Sequence, residues 1–266
     1  MTTAEREALA ALLAEARRGG RQITNLPLHL VPVDANEAYA VAAMVEARLG
    51  WAPLGWKVAG TSAEMRARLR LPEPIFGRSY ARFRYDAPHG APVRLPHADL
   101  LDPIIEAEFL FHLGQDLPPH GEPWSEAEVA DAVTAVHAGA EIAECRFPVT
   151  ALPPFAAILA DGSGNGRYVL GPRIAAWRDA DLSNMAVAVE VDGRVRRTGG
   201  GAAVMGDPLR ALHWLANRLP AAGTQLRAGE WVSTGTATGM LAAQPGTEAV
   251  IRFGDLPEFR IAFEAG

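Results

Sequence analysis

Glu106 and Glu108 sit two residues apart in the stretch DPIIEAEFLFHLG, residues 102–114. The apolar residues Ile105, Ala107, Phe109 and Phe111 alternate with them. In an extended chain, residues i and i+2 share a face and lie about 6.6–6.8 Å apart. The alternation therefore predicts a strand with one core face and one face carrying Glu106, Glu108, Leu110 and His112. Two carboxylates held close repel each other unless a cation lies between them. A hard divalent ion such as Mg²⁺ or Mn²⁺ takes carboxylate oxygens at about 2.0–2.2 Å. The competing reading is a solvent-facing side that tolerates charge. A third carboxylate could come from GAEIAECRF, residues 139–147, which offers Glu141 and Glu144. Read as a strand, these two point to opposite sides, so at most one of them joins the site.

A second signal is a count. Of 25 basic residues only one, Lys57 in LGWKVAGTS, is lysine. Arginine keeps its charge at any physiological pH, whereas a buried lysine amine can give up its proton. A position that keeps lysine in so arginine-rich a chain, among Trp, Val, Ala and Gly, is a candidate for proton transfer. Chance is the alternative, since one lysine must fall somewhere.

Other chemistries find no support. Gly162, Gly164 and Gly166 in DGSGNGRYVLG lack the dinucleotide spacing, and a strand-like segment follows where a helix N-terminus would be needed. Ser163 is not in a G-x-S-x-G elbow, and no Walker or H-E-x-x-H motif occurs. His112 and His137 read as structural. The net charge of −6, without a basic block, argues against nucleic acid or an anionic membrane as partner. One cysteine, Cys145, allows no internal disulfide and fits a reducing, cytoplasmic setting. The N-terminal residues do not read as a signal peptide, and no apolar run reaches the length of a membrane span.

The elements that must position these residues form an α+β chain. Thr2 with Glu5 makes a capping box for a first helix, with Leu9, Leu12, Leu13 and Ala16 as its stripe and Gly19-Gly20 as its stop. A second helix runs from Asp34 to Gly50 and buries Tyr39, Ala42, Val45 and Leu49. A third opens with Asp207-Pro208 and places Leu209, Leu212, Trp214 and Leu215 on its apolar side. MAVAVEVDGRVRRTG reads as a hairpin turning at Asp192-Gly193, and GEWVSTGT, EAVIRFG and EFRIAFEAG read as short strands. Strands cluster instead of alternating with helices, so the expectation is a helical N-terminal region, residues 1–50, on a β-rich catalytic domain, residues 51–266, as one structural unit.

Seven segments occur in order along nearly the whole chain: GWKVAGTS, EPIFG, IEAEFLFHLGQDL, AGAEIAECRF, LADGSGNGRYVLG, TGGGAAVMGDPLRALHWLANRL and WVSTGTATG. Together they resemble the 2-keto-4-pentenoate hydratase / 4-oxalocrotonate decarboxylase branch of the fumarylacetoacetate hydrolase superfamily. The resemblance implies a mixed β-roll with flanking helices. It implies one Mg²⁺ or Mn²⁺ held by Glu106, Glu108 and Glu141, Lys57 in the active site, and a homo-oligomer, with a paralogous decarboxylase or hydratase subunit as a further partner. The sequence departs from the branch's pattern at Ile75 and Glu144, each where Asp is common, at Gly162 for Asn and at Thr236 for Ser.

The expected reaction is metal-dependent lyase chemistry on a short 2-oxo acid, with hydration of 2-hydroxypenta-2,4-dienoate to 4-hydroxy-2-oxopentanoate as the first choice. Decarboxylation of 4-oxalocrotonate and C–C hydrolysis of an acylpyruvate are alternatives within the family. A non-catalytic acid-binding or supporting subunit is the alternative of another class. Lys57 is expected to move the proton, with its pKa lowered by burial and a nearby cation. Asp161 and Thr236 are further candidates, to orient substrate or water. Arg78, Arg82 and Arg84 could grip a distal carboxylate but read better as surface charges.

Overall fold

A computed structural model describes residues 1–69 and 71–266. In chain order the elements are α1 (Thr3–Gly19), α2 (Ala35–Leu49), β1 (Pro53–Ala59), α3 (Ala63–Leu69), β2 (Ile75–Tyr80), β3 (Arg84–Asp86), β4 (Pro92–Pro96), β5 (Ile104–Leu113), α4 (Glu126–Asp131) and β6 (Val133–Ala143). There follow α5 (Phe155–Ala160), β7 (Arg167–Arg173), β8 (Ala186–Val191), β9 (Arg194–Gly200), α6 (Pro208–Arg218), β10 (Trp231–Thr236), β11 (Leu241–Ala242), β12 (Glu248–Phe253) and β13 (Phe259–Glu264).

The three helices expected from their caps are present. Thr2 and Glu5 close the capping box of α1, and Gly20 ends it in the left-handed region. Asp34 accepts from the Glu37 amide at 2.8 Å to open α2, and Asp207 caps α6 with Pro208 in the first turn. The buried face of α2 centres on Ala38, Val41, Val45 and Leu49, leaving Tyr39 and Ala42 at its margins.

The strands form two mixed sheets. The larger runs β2-β1-β10-β5-β6-β7-β3, with β11 also on β5, and the smaller runs β4-β13-β12-β8-β9. The apolar face of β5 is the contact between them: Phe109 meets Phe253 of β12 edge to face at 5.1 Å, within a core that includes Ile105, Ala107, Phe111 and Val187. That packing turns the other face of β5, with Glu106 and Glu108, into the curl of the larger sheet.

The curl can be read from one distance. β1 lies three strand spacings from β6, about 14 Å in a flat sheet. Lys57 on β1 nonetheless reaches Glu141 on β6 at 3.3 Å. Only a sheet rolled toward its carboxylate face brings the two side chains together. The N-terminal helices share a second apolar cluster with Ile75, Tyr80, Phe147 and the α5 residues Ala157 and Ala160, so residues 1–50 pack into the body. Among the described residues no helix is long and apolar enough to cross a membrane.

Candidate active site

Strand register assembles the acidic residues. β5 and β6 pair antiparallel with Glu106 opposite Glu141 and Glu108 opposite Gly139. Glu106, Glu108 and Glu141 each offer an oxygen within 4.8 Å of the others, and all three are buried. The charged-surface reading of Glu106 and Glu108 therefore does not hold. Glu144, the other carboxylate of its segment, lies beyond the end of β6, where it pairs with Arg167 at 2.6 Å and accepts from the Leu101 amide.

Each carboxylate has its own support. One oxygen of Glu141, Oε1, takes the Lys57 ammonium at 3.3 Å, the Tyr168 hydroxyl at 3.2 Å and the Gly166 amide at 3.3 Å. Among the described residues its other oxygen, Oε2, is buried without a hydrogen-bond partner. An unpaired buried carboxylate oxygen carries a desolvation cost that a cation would remove. Glu108 Oε2 accepts from the Ser233 hydroxyl and from the Gly235 amide, the latter at 3.0 Å. That amide is aimed inward because β10 has a bulge between Ser233 and Thr236. The turn requires glycine: Gly235 has φ +93°, and a Cβ there would lie 2.5 Å from Thr61 Oγ1. Glu106 is the most exposed of the three, at 7%. An all-oxygen donor set with a free buried oxygen fits a hard divalent cation.

Electrostatics follow from burial. Removal from water raises the Glu106 carboxyl to about 7, with Lys57 opposing the rise and Glu141 adding to it. Burial also pushes Glu108 well above the carboxylate range, helped by Glu141 and Glu106, and raises Glu141 against the pull of Lys57. In the metal-free protein Lys57 shifts in the direction opposite to the lowering expected with a cation nearby. Burial favours the neutral amine, but Glu141, Glu106 and Glu108 together outweigh it and hold the proton above the usual lysine value. Lys57 is 2% exposed and also donates to the Ser163 carbonyl at 3.0 Å.

The two remaining sequence candidates are placed differently from the reading above. Asp161, fully buried, has its carboxylate taken up by two guanidinium groups, Arg17 at 3.1 Å and Arg146 at 2.8 Å. Both of its oxygens accept from these arginines, so it holds a loop together. Thr236 sits opposite Glu108 on β10, but its hydroxyl donates to the Gly239 carbonyl at 3.0 Å and so serves the turn that follows. Arg78 is tied to Glu46 and Glu230, while Arg84 pairs with Asp86. Arg82 lies over the Trp51 ring.

Sequence reasoning missed Ser233, Tyr168 and the backbone groups that the loop 161–166 turns to the site. Ser233 was detectable as a hydroxyl in a buried strand. Tyr168 becomes visible only through its register with Glu141. The loop acts through backbone groups, which leave no residue-type signature.

Residues 80–264 match the family described as fumarylacetoacetate (FAA) hydrolase C-terminal. The chain belongs to the fumarylacetoacetate hydrolase family. The 2-keto-4-pentenoate hydratase of Burkholderia vietnamiensis (strain G4 / LMG 22486) is 34% identical over 239 residues, covering 89% of this chain and 88% of that one. The 2-keto-4-pentenoate hydratase of Paraburkholderia xenovorans (strain LB400) is 32% identical over 268 residues, covering 100% and 97%. A solved structure of 4-oxalocrotonate decarboxylase from Pseudomonas putida G7, complexed with magnesium and adipate, superposes with TM-score 0.89 at 26% identity over 99% of this chain and 98% of that one. These relatives place this family member in the hydratase and decarboxylase branch of enzymes, and the expected mixed β-roll with flanking helices is its fold.

Proposed function

We propose that the chain is a divalent-metal-dependent lyase of short 2-oxo and 2-hydroxydienoic acids, and that its reaction is hydration of 2-hydroxypenta-2,4-dienoate to 4-hydroxy-2-oxopentanoate. One observation carries this reading: Glu141 uses one oxygen to hold the single lysine and leaves the other buried and unpaired beside Glu106 and Glu108. Glu106, Glu108 and Glu141 would hold Mg²⁺ or Mn²⁺. When bound, the cation supplies positive charge for the electron density that gathers on the substrate's C2 oxygen. That the decarboxylase neighbour is found complexed with magnesium and with calcium supports a divalent ion for this chain.

Lys57 is the proton carrier in this reading. Its amine lies 3.3 Å from Glu141; in this reading it delivers a proton to the terminal C5 of the dienol, and the amine so freed takes up the enol O–H proton. The product of that step is a conjugated enone. Water then adds its oxygen at C4, and C3 takes up a proton. Atoms balance as dienol plus water. The Ser163 carbonyl and Glu141 fix the amine's direction. Asp161 and Thr236 hold the flanking loop and turn in place.

A second reading, decarboxylation of 4-oxalocrotonate, is supported by the 4-oxalocrotonate decarboxylase of Pseudomonas putida, 30% identical over 75% of this chain, and Ile75 departs from the hydratase pattern. This buried apolar residue opens β2 opposite Ala59, where hydratases often carry Asp. Loss of CO₂ needs the same charge stabilisation at C2 but no added water. The lone cysteine supports a cytoplasmic setting, and a homo-oligomer is the expected assembly, to be checked by light scattering.

The test is ultraviolet absorbance of freshly generated 2-hydroxypenta-2,4-dienoate with EDTA-treated protein, before and after Mg²⁺ or Mn²⁺ is restored. Metal-restored loss of the dienol with 4-hydroxy-2-oxopentanoate as product supports hydration. An untouched dienol together with CO₂ release from 4-oxalocrotonate selects the second reading. Inactivity of the metal-loaded protein on both, and on acylpyruvates, removes the lyase reading.

A further inference from the structure

We propose that Arg17, on the N-terminal helix α1, is a positioning residue for Lys57 and Glu141, acting through the loop 161–166. This role presupposes the metal-dependent lyase reading above and extends it to a residue far from the site in sequence.

The contacts form a continuous chain. Arg17 is 9% exposed, and its guanidinium spans both ends of the loop. Nε donates to Asp161 Oδ1 at 3.1 Å, while Nη2 donates to the Asp161 carbonyl and to Asn165 Oδ1, the latter at 2.6 Å. Arg146 braces the same loop by donating from Nε to Asp161 Oδ2 at 2.8 Å and from Nη2 to the Asn165 carbonyl at 2.8 Å. Within and just after these anchors the loop presents two backbone groups to the site. The Ser163 carbonyl takes the Lys57 ammonium at 3.0 Å, and the Gly166 amide donates to Glu141 Oε1 at 3.3 Å.

The loop needs such holding. Ser163 has φ +61°, a conformation that costs a side-chain-bearing residue energy unless its surroundings impose it. Its hydroxyl is tied to the Phe76 carbonyl at 2.6 Å. Gly162 presses on Gly77 so closely that a Cβ on Gly77 would sit 2.1 Å from the Gly162 carbonyl, and Gly77 is the register partner of Lys57. A small shift of the loop therefore moves both the lysine's acceptor and the strand beside it.

Fastening α1 to the body would not by itself call for this arrangement. A buried cluster of two arginines and one aspartate is expensive to desolvate, and apolar replacements of similar volume are often as stable or more so. A planar, five-donor guanidinium that reaches a carboxylate, a carbonyl and an amide oxygen at once is suited to fixing backbone direction.

The experiment uses the full chain with three variants. Arg17→Lys keeps the charge but cannot span the loop. Asn165→Ala cuts the link at the far end, together with the Asn165 donation to the Arg78 carbonyl, and leaves both ion pairs of Asp161 intact. Arg21→Met removes only an exposed pair with Glu15. Mn²⁺ affinity is read by electron paramagnetic resonance titration at 25 °C, kcat and KM on whichever acid the wild type consumes, and Tm by calorimetry. Arg17→Lys and Asn165→Ala are expected to stay folded at 25 °C, to bind Mn²⁺ about 10–100-fold more weakly, and to lower kcat more than they raise KM. Arg21→Met should match the wild type. A lowered Tm with wild-type Mn²⁺ affinity and wild-type kcat in Arg17→Lys and Asn165→Ala would overturn the role and leave Arg17 a fastener. If Arg17→Lys does not fold, Asn165→Ala alone decides. If the wild type consumes none of the acids offered, the lyase reading fails, and the Mn²⁺ comparison still decides the part played by Arg17.

Discussion

Glu106 and Glu141 are direct register partners across β5 and β6, and the two glutamates come from segments whose spacing in sequence says nothing about that meeting. Glu141 also joins the two halves of the site, since one oxygen faces Lys57 and the other is unpaired. Glu141→Gln keeps the shape and can still accept from Tyr168, but it removes the charge. Divalent-ion affinity should fall by more than the roughly 10–100-fold typical of an outer hydrogen-bond partner, with the fold intact. Calorimetric titration of Mn²⁺ into wild type and variant, with circular dichroism as control, measures both.

The acidic cluster predicts a pH dependence with a definite sign. Glu106 is raised to about 7 by burial, and Glu108 and Glu141 are raised in the same direction. The metal-free folded state therefore holds more protons than the unfolded chain between about pH 4.5 and pH 7. Stability falls with rising pH wherever the native state binds more protons. Lys57, raised above its usual value, contributes no slope in this window, while His112 and His137, lowered by burial, give a smaller slope of opposite sign that the metal does not touch. Metal-free protein should accordingly be less stable to urea at pH 8 than at pH 6, and Mn²⁺ should remove the difference. Binding should release protons, seen as a dependence of the calorimetric heat on the buffer's ionisation enthalpy.

Lys57→Met separates binding from turnover. Loss of the ammonium removes the positive charge that competes for Glu141, so Mn²⁺ should bind at least as tightly as in the wild type. Turnover should drop by about 10²–10⁴, the range typical of a lost proton-transfer group. Equal losses of affinity and rate would show that Lys57 only holds the carboxylates together.

Cys145 should be a poor nucleophile. Burial pushes its thiol up to about 11, and the carboxylate of Asp161 adds to the rise. At pH 8 only about one thiol in a thousand is then ionised, and the thiolate is the reactive form. An aromatic disulfide reagent should label native protein slowly and guanidinium-unfolded protein quickly, with one thiol released in all because the chain has one cysteine.

The sequence by itself determined the local features. The period-2 alternation of β5 set its core and carboxylate faces, because a pleated strand leaves no other assignment for Ile105, Ala107, Phe109 and Phe111. Thr2, Asp34 and Asp207 fixed helix starts through side-chain oxygens that cap the next turn's amides. The lone lysine marked a position where arginine had not been used. Tertiary structure decided everything that depends on register and curl. The choice of Glu141 over Glu144 rests on pairing between β5 and β6. The Lys57–Glu141 contact rests on a sheet rolled across three strand spacings. Asp161 was drawn into the Arg17–Arg146 cluster by a helix 144 residues away in the chain. Such long-range meetings are set by the packing of whole sheets and helices, and no local pattern of residues records them.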